Sequence, residues 1–399
     1  MTPGPGIART PLPKGFVCAS INSGVRKYRP DLGIIISDRD AVAAGVFTQN
    51  ECKGAPVIYS QGILPSSRIR AIVTNSGQAN TATGSQGRED NWRMALSAAS
   101  AVGCLPHQIL TASTGVIGVP MEIEKISAAM PMLPDRATAT SEPFAVAILT
   151  TDLVPKTVTS ELALSGGSVR ITGICKGSGM IHPNMATMLG YLLTDAELPL
   201  EIASPLLKAA SDLSFNMISV DGETSTNDSV FLMANGASGV VVATAEDQDL
   251  FRKALVEIAQ FLAQAIARDG EGATKLVEVN LSGAPSDDLA RRAARGLTTS
   301  PLIKSAIHGE DPNWGRILAR LGADRVPSEC FERMKLSIQG TEVFDCGKPL
   351  PFDRLAVRQA LKEDSVSIEV DLCSGVAEAR AWGCDLSKKY IDINSEYAT

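Results

Sequence analysis

The sequence predicts an α/β protein, and three observations carry that prediction. Short apolar runs such as Ile34-Ile35-Ile36, Ala71-Ile72-Val73 and Tyr191-Leu192-Leu193 have the length and composition of buried strands. Between them lie amphipathic stretches at helical spacing. The clearest runs from Leu250 to Ala267, where Phe251, Ala254, Leu255, Ile258, Leu262, Ala265 and Ile266 form one stripe. A chain of 399 residues also exceeds what one small core needs, which gives two domains or one large layered domain.

Composition narrows the function. Hydrophobic residues at 44% and charged residues at 20% are ordinary for a soluble globular chain. The net charge of −7, without a basic cluster, argues against nucleic acid as a partner. No apolar run reaches the ~18 residues of a membrane span. The start, Met1-Thr-Pro-Gly-Pro-Gly, lacks the basic and apolar regions of a secretory signal, so a cytoplasmic location is expected. Eight cysteines without a CxxC pair read as reduced, mostly buried thiols rather than a disulfide framework or zinc site. With only His107, His182 and His308 and no HExxH, a metal site is not expected. Any acyl chemistry must then find its base outside the usual histidine.

In chain order, residues 1–15 are Pro/Gly-rich and read as an extended arm. Ile34–Ile36 and Ala71–Thr74 read as strands, and Gly45–Thr48 as a short strand or turn. Asn75–Asn80 reads as a polar loop, either a plain turn or the lining of a pocket. Gly87–Gly103 is helical with Trp92, Ala95, Leu96, Ala99 and Val102 on one face, and Gly103 is a C-cap. Thr111-Ala-Ser-Thr-Gly-Val-Ile-Gly118 reads as a loop, a turn by default or a set of N–H groups aimed at an anion. A helical connection over 121–150 leads to Thr150-Thr151-Asp152. Past the middle, residues 199–213 are helical, and Ser214–Asp228 is a hydroxyl- and carboxylate-rich stretch whose default is a solvated loop. Glu271 sits between Gly270 and Gly272. Residues 283–288 suggest a hinge, and Val366–Leu372 alternates as a half-exposed strand, with a second at Val376–Trp382.

Near the midpoint stands Lys176-Gly-Ser-Gly-Met-Ile-His-Pro-Asn-Met-Ala-Thr-Met-Leu-Gly190. Its glycines permit close backbone approach, and Pro183 stiffens the turn before Thr187. A small residue before a threonine leaves the Ala186–Thr187 peptide bond accessible to the hydroxyl. Taken alone, this is a plain loop-to-strand junction.

The segment resembles the autoprocessing segment of the ornithine acetyltransferase (ArgJ) family. The resemblance extends through Ser-Thr-Gly-Val-Ile-Gly118, the Phe215-Asn…Asp221-Gly-Glu-Thr-Ser-Thr-Asn-Asp228 run, Gly270-Glu-Gly272, Asp311-Pro-Asn-Trp-Gly-Arg316 and the tail, covering Gly45 to Thr399. Glu223 stands where the family more usually has Asp. The resemblance implies a layered αββα-type sandwich with a smaller C-terminal α/β domain, divided at 1–282 and 283–399. It implies self-cleavage between Ala186 and Thr187 into an α chain of 1–186 and a β chain from 187, assembled as α2β2. Thr187 would be the nucleophile, and Thr114 with Gly115 the oxyanion hole. One of Thr150 and Thr151, with Lys176, Glu271, Asn394 and Thr399, would bind substrate. The implied reaction is ping-pong acetyl transfer from N-acetylornithine to glutamate in arginine biosynthesis, without metal or bound cofactor. Some relatives also use acetyl-CoA, and some serve secondary-metabolite clusters. Cys18-Ala-Ser-Ile-Asn-Ser and Asn-Thr-Ala-Thr-Gly84 depart from the commonest arginine-pathway pattern, which bears on donor range. Two rivals remain at this stage: an N-terminal-nucleophile amidohydrolase that gives the acyl group to water, and an unprocessed binding protein of the same fold.

Overall fold

The computed structural model describes residues 9–182 and 188–396. Its strands are β1 (Phe16–Ile21), β2 (Leu32–Phe47), β3 (Ser66–Gln78), β4 (Ile109–Val116), β5 (Lys156–Leu164), β6 (Gly167–Lys176), β7 (Leu189–Thr194), β8 (Ile218–Ser219), β9 (Ser229–Ala234), β10 (Leu276–Ala284), β11 (Lys335–Ile338), β12 (Thr341–Asp345), β13 (Lys348–Pro349), β14 (Ser365–Asp371) and β15 (Ala377–Cys384). One hydrogen-bonded sheet runs β4-β3-β2-β9-β7-β6-β5, with β1 also on β2. The second runs β13-β12-β11-β14-β10-β15-β8.

The length of β2 explains the architecture. Its first part, Leu32–Ser37, pairs with β1, and its second, Val42–Phe47, pairs with β9, while β3 lies along both parts. The register between β2 and β3 shifts after Ile36, which is where a strand bends. The sheet thereby folds into two leaves that face each other. Side chains alternate accordingly. Ile35, Ile72, Leu110, Tyr191, Leu193, Phe231 and Met233 pack together in one core between the leaves. Ile34, Ala71 and Val73 turn outward onto the helices Gly84–Val102 and Ile123–Ala129. From the other leaf, Ile171, Leu192, Val230 and Leu232 turn outward onto the helices Leu200–Asp212 and Ala245–Arg268. The Thr74 and Tyr191 hydroxyls meet at 2.8 Å across the gap. The layers are helix, leaf, leaf, helix: the expected αββα sandwich.

Helix Ala245–Arg268 also carries the second sheet. Phe251, Leu255, Ile258, Leu262 and Ile266 are buried in a core that continues through Val277, Val279 and Trp382 to Ala290, Ala294 and Leu297 of the helix Asp287–Thr299. Its stripe is the one the spacing predicts, except that Ala254 and Ala265 are only partly buried and Ala259 and Ala263 are fully so.

Several local expectations are corrected. Asn75–Gln78 and Thr111–Val116 are not loops but the ends of β3 and β4, because polar residues here pair along a ladder rather than face water. Gly45–Phe47 belongs to the long β2. Helix Gly84–Val102 buries Asn91, Met94, Ala95, Ala98 and Ala99, whereas Trp92 and Leu96 are 43% and 49% exposed. The small residues allow close approach, and Trp92 instead meets the Tyr59 ring edge-on. Gly103 does cap this helix, at φ 77° with its N–H on the Ala99 carbonyl. Only four of the eight cysteines (Cys18, Cys175, Cys330 and Cys384) are buried, and all eight are free thiols. Most of Ser214–Asp228 is buried rather than solvated. Gly283 and Ala284 finish β10, and Ser286 caps the next helix by accepting the Leu289 N–H, so residues 283–288 are structured.

Candidate functional site

Residues 177–188 connect β6 to β7, and the ladder pairs Lys176 with Leu189 at their base. Of this connection, Gly177–His182 and Met188 are described. Ala186 and Thr187 lie outside the described residues, as does Thr399.

The described part of the connection is held by hydrogen bonds to distant segments. Asp152 Oδ1 accepts the Gly177 N–H at 2.7 Å, and Ser178 Oγ donates to the Asp269 carbonyl at 2.6 Å. Asp221 accepts the Met180 N–H at 2.6 Å and the Ile181 N–H at 2.9 Å. Thr224 Oγ1 donates to the His182 carbonyl at 3.0 Å. At Gly179 a Cβ would stand 2.3 Å from Glu271 Cδ, so this glycine makes room for the carboxylate. On the far side, the Met188 carbonyl accepts the Ser229 N–H at 3.1 Å, which docks β9 beside β7.

Asp152 and Lys156 form the electrostatic hub. Both side chains are almost wholly buried, with Lys156 Nζ 2.8 Å from Asp152 and 2.5 Å from Asp269. Burial opposes the charge on Asp152, but Lys176, Lys156 and the Gly177 N–H outweigh it and hold the carboxyl well below its ordinary range. Burial likewise opposes the Lys156 charge, and Asp152 and Asp269 outweigh it and raise its pKa. Lys176 Nζ lies 3.7 Å from Asp152 and donates to Thr150 Oγ1 at 2.8 Å. Of the two adjacent threonines, Thr150 is therefore the one joined to Lys176. Thr151 makes no side-chain hydrogen bond among the described residues.

Thr114 and Gly115 close β4, opposite Ser76 and Gly77 of β3. Gly115 has φ 131°, and a Cβ would fall 2.2 Å from the Gly77 carbonyl carbon, so only glycine fits. Ser76 Oγ donates to the Ala147 carbonyl at 2.7 Å, which ties this strand end to the segment leading to Thr150. Buried Asn227 ties it to the β9 side. Its Nδ2 donates to the Ser113 carbonyl at 3.0 Å and the Ala79 carbonyl at 2.5 Å, and the Thr226 hydroxyl donates to its Oδ1 at 2.6 Å.

Glu271 completes the other wall. Its N–H donates to the Ser178 carbonyl at 2.9 Å, and its Oε2 accepts Asn394 Nδ2 at 2.9 Å. Helix Lys388–Glu396 thus brings the chain's end back to the central connection. Burial raises the Asp221 pKa against three backbone N–H groups, and the charge on Glu271 adds to the rise. Burial, with Asp221, Glu271 and Glu223 close by, pushes the Tyr390 phenol up to about 12. Lys176, facing Asp152, thus stands on one side of the connection and the carboxylates of Glu271 and Asp221 on the other. Among the described residues, no group of three or more His, Cys, Asp or Glu side chains is placed to hold a metal ion.

Among the described residues, Lys176 thus meets Thr150, Glu271 meets Ser178 and Asn394, and Ser76 and Asn227 anchor the strand end that carries Thr114 and Gly115. Sequence reasoning did not single out Asp152, Lys156 or Asp269 as site residues. The i, i+4 spacing of Asp152 and Lys156 was visible, but nothing local says that such a pair is buried. A model of the ArgJ family matches residues 17–399.

The chain belongs to the ArgJ family. Relatives named arginine biosynthesis bifunctional protein ArgJ include those of a Synechococcus, 45% identical over 97% of this chain and 96% of its own, and of Thermus thermophilus, 45% identical over 97% and 99%. The Bacillus subtilis protein is 42% identical over 97% of this chain and 96% of its own. A crystal structure of ArgJ from Bacillus halodurans superposes with a TM-score of 0.51 at 40% identity, covering 53% of this chain and all of that one. As a member of this family, the protein is an enzyme, a glutamate N-acetyltransferase of arginine biosynthesis.

Proposed function

We propose that the chain cleaves itself between Ala186 and Thr187 and that the freed Thr187 then transfers acetyl groups from N-acetylornithine to glutamate. The hydroxyl attacks the Ala186 carbonyl in an N-to-O acyl shift, and hydrolysis of the ester leaves a chain ending at Ala186 and one beginning at Thr187. The new α-amine titrates near ~7.7–8, so modest desolvation leaves it neutral and able to take the hydroxyl proton. Acetyl-Thr187 forms as ornithine departs, and glutamate then accepts the acetyl group. Thr114 and Gly115 stabilise the tetrahedral oxyanion. Lys176, with Thr150 or Thr151, holds the substrate carboxylate. Glu271 takes the amino group, and Asn394 and Thr399 also bind the substrate. The cleaved pieces pair as α2β2 in the cytoplasm. Acetyl-CoA as a second donor rests on the family resemblance alone.

The observation that carries this reading is the joining of Lys176, Glu271 and Asn394 around the connection that bears Thr187. The Bacillus halodurans chain supports the cut. It is wholly matched by 53% of this chain, the share that residues 187–399 make of it (399 − 186 = 213 of 399). On a denaturing gel we expect two bands, with Thr187 as the amino terminus of one. Thr187→Ala should give a single intact band and no glutamate-dependent release of ornithine; a cleaved, active mutant refutes the assignment.

A further inference from the structure

The nucleophile and the oxyanion donors assigned above belong to strands that are not neighbours. Thr187 lies two residues before β7, and Thr114 and Gly115 close β4. Strands β9, β2 and β3 stand between those two in the sheet order. Four strand spacings come to about 19 Å along a flat sheet. An oxyanion and its donors must stand about 3 Å apart. The bend in β2 folds the leaves together, and a direct tie between them has to set how closely these two strand ends approach.

Asn227 makes that tie. It lies two residues before Ser229, whose N–H donates to the Met188 carbonyl at 3.1 Å and which pairs with Leu189 in the ladder. Its side chain crosses to the β4 end, where Nδ2 donates to the carbonyls of Ser113 and Ala79. Ser113 immediately precedes Thr114. The hydroxyls of Thr81 and Thr226 donate to Oδ1. Both amide hydrogens and both acceptor positions are therefore in use, and the amide cannot turn over, because the two carbonyls facing Nδ2 only accept. Asn227 is also enclosed: it is 6% exposed, and a Cβ on Gly54 would come 2.8 Å from its Oδ1. From Met188 to Thr114 this path runs through Ser229, Asp228, Asn227 and Ser113.

We propose that Asn227 is a positioning residue for acetyl transfer, fixing the oxyanion donors Thr114 and Gly115 relative to the strand that begins after Thr187. The role rests on the reading of Thr187, Thr114 and Gly115 given above. Asn227 belongs to the second piece of the proposed cut, and Ala79, Thr81 and Ser113 belong to the first, so the tie holds the two halves of the site in register. Lys176 keeps Thr150 and Glu271 keeps Asn394 when the tie is lost. Ground-state binding is then spared while transition-state stabilisation falls.

Steady-state kinetics of ornithine release, expressed per mole of cleaved enzyme, test this in Asn227→Ala and in Thr81→Val, which removes one hydroxyl that orients the amide. Asn227→Ala should lower kcat about tenfold to a hundredfold with KM for N-acetylornithine and glutamate unchanged. Thr81→Val should show a smaller fall of the same kind. A merely structural role would lower the melting temperature and the yield of folded enzyme and leave kcat per cleaved chain intact, which overturns the proposal. Should Asn227→Ala yield no folded, cleaved enzyme, Thr81→Val decides: reduced kcat at constant KM supports the role, and unchanged kcat overturns it. Gly115→Ala, run beside them, separates the two levels of the argument. Full kcat there sinks the oxyanion assignment itself, whereas a loss there with full kcat in Asn227→Ala sinks the positioning role alone.

Discussion

At the scale of single residues, the buried charges decide most. Asp152 answers Lys156, Lys176 and the Gly177 N–H together, so its loss leaves two buried ammonium groups with one partner fewer. Removing one member of a buried pair typically costs about 3–5 kcal/mol, and Asp152→Asn is expected to lose that much in urea unfolding at neutral pH. The sign of the pH effect follows from the depressed carboxyl. Its stabilisation is complete above the ordinary ~3.9 and is withdrawn as pH falls toward the native pKa, so the gap between mutant and wild type should narrow below about pH 4. Gly115→Ala would force a Cβ against the Gly77 backbone and displace the proposed oxyanion donor; kcat should drop by about 10²–10³ in the acetyl-transfer assay. Asn394→Ala removes the hydrogen bond that orients Glu271, so KM should rise about tenfold with kcat little changed. A kcat effect of the same size would move Asn394 from binding to chemistry.

At the scale of elements, helix Ala245–Arg268 is the shared wall of both sheets. Truncating its buried centre leaves a cavity that neither sheet can fill alone. Leu262→Ala is expected to cost about 2–5 kcal/mol in chemical denaturation, and cleavage should slow with it because the same helix leads into Asp269. This helix was legible in the sequence because a strict 3.6-residue stripe has one reading. Helix Gly84–Val102 was legible in extent, through its periodicity and Gly103, but not in facing. Alanines and an asparagine point inward there, and an apolar count favours Trp92 and Leu96 instead. The ends of β3 and β4 were misread as loops for a related reason. Asn, Ser, Thr and Gly are turn residues in isolation, and only a neighbouring strand supplies the ladder that makes them extended.

At the scale of the whole molecule, the proposed cut divides the sandwich without dividing its sheet. Strands β7 and β9 come from the second piece, yet they lie between β2 and β6 of the first. The two pieces should therefore stay together on native size-exclusion chromatography and separate only in denaturant. Free exchange of one piece under native conditions would contradict that interlocking.

The sequence by itself determined the α/β class, the helix Ala245–Arg268 and, through the motifs Ser113–Gly118, Lys176–Gly190 and Gly270–Gly272, the family. These are local patterns, and local patterns survive without knowledge of neighbours. Only the tertiary structure decided that Thr150 rather than Thr151 meets Lys176, that Asp152 and Lys156 neutralise one another beneath the site, and that Asn394 returns to Glu271. Those facts depend on which distant side chain removes water from a charge, and no stretch of chain records its own partner.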